Sequence, residues 1–526
     1  MSGGSAVLLA IDQGSSSSRC VVFDGELRAL ATGSRPLATS FPAAGRVEHD
    51  PAQIVCGVLG AMRDAMGEAE VSWTDVAGIG LAAQTETFVV WDRATGQAVY
   101  PAISWRDGRA AGLCAQLRDA GCQPDIQAST GLPLEPAFSA SKVAWLLDEI
   151  PGARRRAAAG QLLFGDVNSW LTWHLSGGAA HITEPSMAAR TMLFGLAAGG
   201  WSAAMLELFG VPEQILPAIV PTVGRLATTD AGVCGGQAVI SASIGDQPGA
   251  LFGQRCWQEG MAKLTLGTGA FLWCHAGNAP PSRLPPGTVS SCAWQLPGET
   301  AYALEGFVPN AGGVTSWLRQ IGALAPGAWP SIRAGALRDP AAGPWCVPAL
   351  FGLGTPHWGA GPRADIFGLT AASTAADLAE AALLGVVHQI VDAIEAVRSG
   401  LRGPLEVVRV DGGLAANDSV LRAIADLAGV ALERPAVTEA TALGAGALAG
   451  LGTGQWDRAA LGALPSGPRT AISPTLPADL RTVARDGWRS ALAASIARGQ
   501  AAGHPTALSP TALSGTAPRT TGLEAS

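Results

Sequence analysis

Val7-Leu8-Leu9-Ala10-Ile11-Asp12-Gln13-Gly14-Ser15-Ser16-Ser17-Ser18-Arg19-Cys20-Val21-Val22-Phe23-Asp24 is the stretch that decides the reading of this chain. Two apolar runs flank a short polar turn, which is the pattern of a β-hairpin. Gly14 lets the backbone approach a ligand closely. The four serines after it offer hydroxyls and backbone N–H groups to phosphate oxygens. Arg19 adds a fixed positive charge. Asp12, at the end of the first strand, is placed to hold a divalent cation through water. The turn matches neither G-x-x-x-x-G-K-[ST] nor G-x-G-x-x-G. On spacing alone it reads equally as a phosphate cradle or as a plain turn.

The same logic returns half a chain later. Ala262–Leu266, Gly267-Thr268-Gly269 and Ala270–Trp273 again read as strand, small turn and strand, which suggests an internal duplication with one phosphate-facing turn in each half. Val76–Ala83 is a short apolar strand that delivers Gln84-Thr85-Glu86-Thr87 at its carboxyl end, where open α/β sheets place ligands. Val239–Gly245 is another strand, and Asp246 after it reads as the cap of the next helix. Leu405–Val410, the Gly412-Gly413 turn and a helix from about Asp418 form a third strand–turn–helix unit, where a base or ribose could lie against bare backbone. Asp50 caps a helix from Pro51 to about Glu70. A long helix over 371–399 is capped by Ser373 or Thr374, with Leu383, Val386, Ile390, Ile394 and Val397 as its apolar stripe.

A chain of 526 residues exceeds one ordinary core, so two large domains are expected. The net charge of −8 argues against a nucleic-acid surface. Nine cysteines lie singly, without a C-x-x-C pair, as in a reduced cytoplasmic protein. The seven histidines are dispersed, which disfavours a metal- or cysteine-dependent hydrolase. His49, His357 and His388 read as loop or helix-face residues. No apolar run reaches the ~18 residues of a membrane span, and the first residues lack the basic region of a signal peptide. From about Gly499 the chain is aperiodic Ala, Pro, Thr, Ser and Gly, which reads as a disordered tail.

Taken as an ordered set, Asp12–Arg19, Val47-Glu48-His49-Asp50-Pro51, Gly245-Asp246-Gln247, Ala250–Gln254, Gly267-Thr268-Gly269, Ala303-Leu304-Glu305-Gly306, Ile366–Leu369 and Val410-Asp411-Gly412-Gly413 resemble the FGGY carbohydrate kinases, and within them most closely the glycerol kinases. The likeness runs from about residue 6 to 495. It implies an α/β protein of two actin-like, ribonuclease-H-like ATPase domains around a cleft, over 1–250 and 251–498, with 499–526 as the tail. It also implies ATP with Mg2+, transfer to a hydroxyl of glycerol or a related small polyol, and a cytoplasmic homodimer or homotetramer. By the same resemblance Asp246 is the general base, and Asp12 with Asp246 stands on the magnesium side. Ser15, Ser16, Ser17, Arg19, Gly267, Thr268, Gly312, Ser316, Gly413 and Asn417 face the nucleotide. Thr85, Glu86, Trp105, Ala137, Asp246, Gln247 and Phe271 face the substrate.

The departures from the pattern concern specificity. Glycerol kinases carry Arg-Glu where this chain has Thr85-Glu86, and a tyrosine where it has Ala137. Both changes remove groups that hold glycerol hydroxyls and open space for a tetritol, pentitol or ketose. Ser316 stands where many carry glutamine near the adenine. The loop Gly232–Gln237 lacks the arginine that some bacterial members use to bind fructose 1,6-bisphosphate. A non-catalytic ATP-binding protein of the same fold is the competing class, but such a protein should have lost Asp12 or Asp246, and both are present.

Overall fold

The computed structural model describes residues 6–333, 335–337, 343–358, 363–436 and 439–501. The opening hairpin forms as read: β1 (Val7–Gln13) pairs antiparallel with β2 (Ser17–Phe23), and β2 with β3 (Ala29–Pro36). Helix α1 (Pro51–Glu68) starts at its Asp50 cap, whose carboxylate accepts from the Ala52 N–H. Strand β4 (Val76–Ala83) lies parallel to β1 and is almost wholly buried, as its continuous apolar run indicates. With β5 (Val223–Thr228) and β6 (Val239–Gly245) the first sheet has the order β5-β6-β4-β1-β2-β3. Helix α2 (Asp246–Gly253) follows β6 directly.

The second sheet repeats this plan. Strands β7 (Met261–Leu266) and β8 (Ala270–His275) form the second hairpin, followed by β9 (Val289–Leu296) and β10 (Glu299–Val308). Helices α3 (Gly312–Gln320) and α4 (Ala375–Ser399) come next, then β11 (Val407–Asp411), α5 (Asp418–Ala428), β12 (Leu432–Pro435), α6 (Ala440–Thr453) and β13 (Arg469–Ile472). The order is β9-β10-β8-β7-β11-β12-β13. Without β9, the two sheets correspond strand for strand, with two parallel neighbours on one side of the hairpin's first strand and two antiparallel strands on the other. The duplication expected from two turns therefore extends to whole sheets.

The halves meet along helices. Helix α6 comes from the second half of the chain but packs on β1, β4 and β6 of the first sheet and along α2. The approach is backbone to backbone: a Cβ on Gly444 would lie 1.9 Å from the Gly249 carbonyl oxygen. One apolar cluster accordingly joins Leu8, Phe23 and Leu251 with Trp273, Trp294 and Leu448. Long α4 is capped by Thr374, not Ser373, in a capping box with Asp377, and all five residues of its expected stripe are buried.

Three expectations need correction. Asp246 is the first helical residue of α2 and Gly245 is the cap, so its carboxylate is not spent on capping. His49 is a buried residue of the short strand Glu48–His49 and not of a loop, whereas His388 lies on helix α4 as read. The last helix runs over Ala478–Ala501, so residues 499–501 of the proposed tail are helical; 502–526 lie outside the described residues.

Candidate active site

Between the two sheets lies a cavity of about 220 Å³. It gathers Ser15 from the first turn, Thr85 and Glu86 from the end of β4, Asp246 and Gln247 from the start of α2, and Phe271 from β8, together with Trp105 and Ala137. All seven substrate-facing residues expected from the sequence line this one space. Polar groups lie against an aromatic wall in which the Phe271 and Phe307 rings are 4.8 Å apart and Phe307 and Trp358 are 5.6 Å apart. A mostly apolar cavity with a few converging polar groups is the usual form of a small-molecule site.

The backbone at Glu86 is held in the left-handed region, at φ +61°. A non-glycine residue there costs on the order of 1 kcal/mol and persists only when its surroundings impose it. Here Thr85 Oγ1 donates to one Glu86 carboxylate oxygen at 2.6 Å and Arg190 Nε to the other, also at 2.6 Å. Arg190 also pairs with Glu305, and its guanidinium lies over the Phe138 and Trp273 rings at 5.3 and 5.5 Å. Burial pushes the Glu305 carboxyl up to about 7 in spite of that arginine.

Asp246 lines the cavity half-buried, and its carboxyl is pushed up to about 7 by desolvation first, then by the charges of Asp12 and Glu86. Asp12 is pushed up to about 6 by burial, against the opposing pull of Arg19. Asp246 lines the cavity, and the Asp12 carboxylate, from another element, is near enough for its charge to act on it. Such a donor set suits a hard divalent cation completed by water and phosphate oxygens. Among the described residues no cluster of three or more histidine, cysteine or acidic side chains forms an all-protein metal site.

The walls carrying Trp105 and Ala137 are fixed by buried charge. The Trp105 N–H donates to Thr87 Oγ1 at 3.0 Å. Asp107 accepts from the Val47 N–H and from Arg109, which also pairs with Glu48 at 2.6 Å. Lys142, fully buried, donates to the carbonyls of Ser104 at 2.9 Å and Ala137 at 2.6 Å. Burial pushes its ammonium down to about 7. Lys142→Met leaves both carbonyls without that donor and is expected to cost about 3 kcal/mol of stability, read as a lowered urea midpoint.

Of the residues read as facing the nucleotide, Gly267, Thr268 and Gly312 are brought together. The Gly267–Gly269 turn abuts the start of α3: the Gly312 N–H donates to the Gly267 carbonyl at 2.9 Å, and the Ala311 N–H to that of Thr268 at 3.0 Å. A Cβ on Gly312 would lie 2.6 Å from Gly267 O, so glycine is required there. Gly412 packs on Leu266 in the same way, and the position of a Gly413 Cβ faces open space. Ser316 is exposed on α3. Asn417 caps α5 through its Oδ1, which accepts from the Ser419 N–H, and its Nδ2 donates to Pro330 O. Arg19 pairs across the halves with Glu439, next to α6. Ser16 is exposed and Ser17 lies within β2.

Sequence reasoning missed Arg190, Lys142 and Lys263 as site residues, and treated Glu305 only as part of a matching stretch. The available signal was a charge inside an apolar run, as in Met187-Ala188-Ala189-Arg190-Thr191-Met192-Leu193. A buried charge needs a partner, but sequence does not name it.

The FGGY N-terminal domain profile matches residues 7–253 and the FGGY C-terminal domain profile residues 262–453, both described as domains of the FGGY family of carbohydrate kinases. The chain belongs to this family. Among curated relatives, a glycerol kinase of Aromatoleum aromaticum is 43% identical over 92% of this chain and 98% of its own length. One from Citrifermentans bemidjiense is 42% identical over 93% and 98%. Among solved structures, Plasmodium falciparum glycerol kinase with ADP superposes with a TM-score of 0.86 at 27% identity, covering 93% of this chain and 98% of that one. As an FGGY member the protein is a carbohydrate kinase, and among the described residues no helix is long and apolar enough to cross a membrane.

Proposed function

We propose that the protein transfers the γ-phosphoryl group of ATP to a hydroxyl of glycerol or a closely related small polyol, with Asp246 as general base. The observation that carries this reading is the cavity in which Asp246, Gln247, Glu86 and Trp105 meet Ser15 of the first turn. In the step, the substrate oxygen bonds to the γ-phosphorus, the bond from phosphorus to the β-γ bridging oxygen breaks, the hydroxyl proton passes to Asp246, and ADP leaves. Asp12 and Asp246 would hold Mg2+, which when bound neutralises charge on the transferring phosphate. Glu86, fixed by Thr85 and Arg190, accepts from a second hydroxyl. The Gly267–Gly269 turn, Gly312 and Gly413 line the nucleotide side, and the aromatic wall excludes water.

In this reading residues 1–250 and 251–498 act as the two domains, with α2 crossing the boundary and α6 returning to the first sheet. A cytoplasmic homodimer or homotetramer is the proposed assembly.

Ala137 favours a second reading. Its methyl group lines the cavity beside Pro133 and Phe138, and the Thr85 hydroxyl is already spent on Glu86. A four- or five-carbon polyol or ketose would use that space. ADP release with MgATP across glycerol, dihydroxyacetone, erythritol, threitol, xylitol, ribitol, xylulose and ribulose separates the two. We expect glycerol to give the highest kcat/KM. A higher value for a longer substrate overturns glycerol in favour of the second reading, and no turnover on any of them overturns both.

A further inference from the structure

Lys263 of β7 plays no part in the reaction as described, yet it is buried beneath the substrate cavity with 1% of its surface exposed. Its Nζ donates to Gln247 Oε1 at 2.6 Å and to Thr265 Oγ1 at 2.8 Å. The contact joins the two halves, because Lys263 belongs to the second sheet and Gln247 to the start of α2. An ammonium has three donors and no acceptor, so only the oxygen of the Gln247 amide can face it. The amide nitrogen is thereby turned the other way. Gln247 lines the cavity, and its Nε2 has no protein partner among the described residues.

We infer that Lys263 is a positioning residue that locks the Gln247 side chain with its N–H donors toward the substrate, so that Gln247 binds an oxygen of the polyol as a donor while Asp246 beside it accepts. The inference rests on the substrate reading above and deepens it. The division of labour has a chemical consequence. A fixed donor accepts either a hydroxyl or a carbonyl oxygen at that point, whereas the carboxylates require O–H groups. With the lock removed, the amide can rotate through 180° and offer its oxygen to the cavity instead, and half of its orientations then oppose the substrate oxygen. The neighbouring charges explain why a lysine tolerates this depth: Asp411, Asp246 and Glu305 all act on it.

The test compares Lys263→Met with Lys263→Arg by steady-state kinetics on the best substrate of the panel, alongside Asp246→Asn. Lys263→Met keeps the length and apolar bulk of the side chain but has no donor. We expect its KM for the polyol to rise about tenfold, the worth of one lost hydrogen bond to a positioned group. KM for MgATP should stay within about twofold, and the thermal shift on adding MgADP should persist, which shows that the nucleotide half is folded. Lys263→Arg retains donors and should recover most of the polyol KM. Gln247→Leu should raise the polyol KM as Lys263→Met does, and the double variant should add little, because both remove one interaction. A polyol KM unchanged in Lys263→Met overturns the inference. So does an equal rise in the KM values for polyol and MgATP, or full additivity in the double variant. If Lys263→Met does not fold, Lys263→Leu, which also lacks a donor, takes its place in the same cycle with Gln247→Leu, and additivity decides as before. If Asp246→Asn keeps full turnover, it is the reading of the site that fails, independently of Lys263.

Discussion

Replacing Asp246 by Asn should lower kcat by about 10²- to 10⁴-fold while leaving MgATP binding measurable. The carboxylate is the acceptor at the start of α2, and its nearest hydrogen bond comes from the Gln247 N–H at 2.7 Å. Asn is close in shape, so the cavity persists, but it cannot take the hydroxyl proton. Single-turnover kinetics and a nucleotide titration check both halves of the expectation. A variant that retains turnover would remove Asp246 from the role of base. A non-catalytic ATP-binding protein would lose nothing measurable.

The same substitution should stabilise the ligand-free, magnesium-free protein. The Asp246 carboxyl sits at about 7 in the fold against an ordinary value of 3.8. Below pH 3.8 it is protonated in both folded and unfolded chains, and burial carries no charge penalty. As pH rises from there toward 7 the unfolded chain ionises first, so the unfolded state gains and the folded state loses ground; above about 7 the penalty is complete. Asn never carries the charge. At about pH 8 the variant should therefore melt at a higher temperature than the wild type, and near about pH 4 the two should converge. Active sites commonly hold such destabilising charge because the chemistry needs it.

The second large effect is expected at Arg190. Its guanidinium is buried and lies between Glu86 and Glu305, over two aromatic faces. Arg190→Met leaves two enclosed carboxylates without their cation, and breaking a buried pair from one side costs about 3–5 kcal/mol. The expected result is a lowered unfolding midpoint together with a raised KM for the polyol, since Glu86 loses one of its two anchors. Adding Glu305→Gln should recover part of the stability, because one uncompensated charge disappears. Recovery of stability without recovery of KM would separate the ion pair from the placement of Glu86. A variant as stable as the wild type would show that Arg190 does not balance these carboxylates.

Much of the fold and of the site is legible in the sequence. Asp12 to Arg19 is a local pattern, and alternating apolar runs around a glycine and serines leave few options other than a hairpin. The Gly267–Gly269 turn, the Asp50 cap and the stripe of α4 are likewise local, because periodicity and capping depend on residues within a turn or two of each other. The seven cavity-lining residues expected from the sequence sit mostly at the ends of strands and starts of helices, where the backbone path dictates their placement.

Local sequence therefore accounts for the set of elements and the two glycine turns, whereas the base proposed at Asp246 comes from the resemblance and not from its local pattern, which reads as a cap. Packing in three dimensions accounts for which charges meet. Arg190 finds Glu86 and Glu305 across 104 and 115 residues, and Lys263 of the second sheet finds Gln247 on helix α2. Asn417 finds the Ser419 N–H and Pro330 O, and Arg19 finds Glu439 across the two halves. The physical reason is that a buried charge or amide takes whichever partner packing brings within about 3 Å. Local propensity fixes the position of a residue on its own element, and packing alone sets its distance from another.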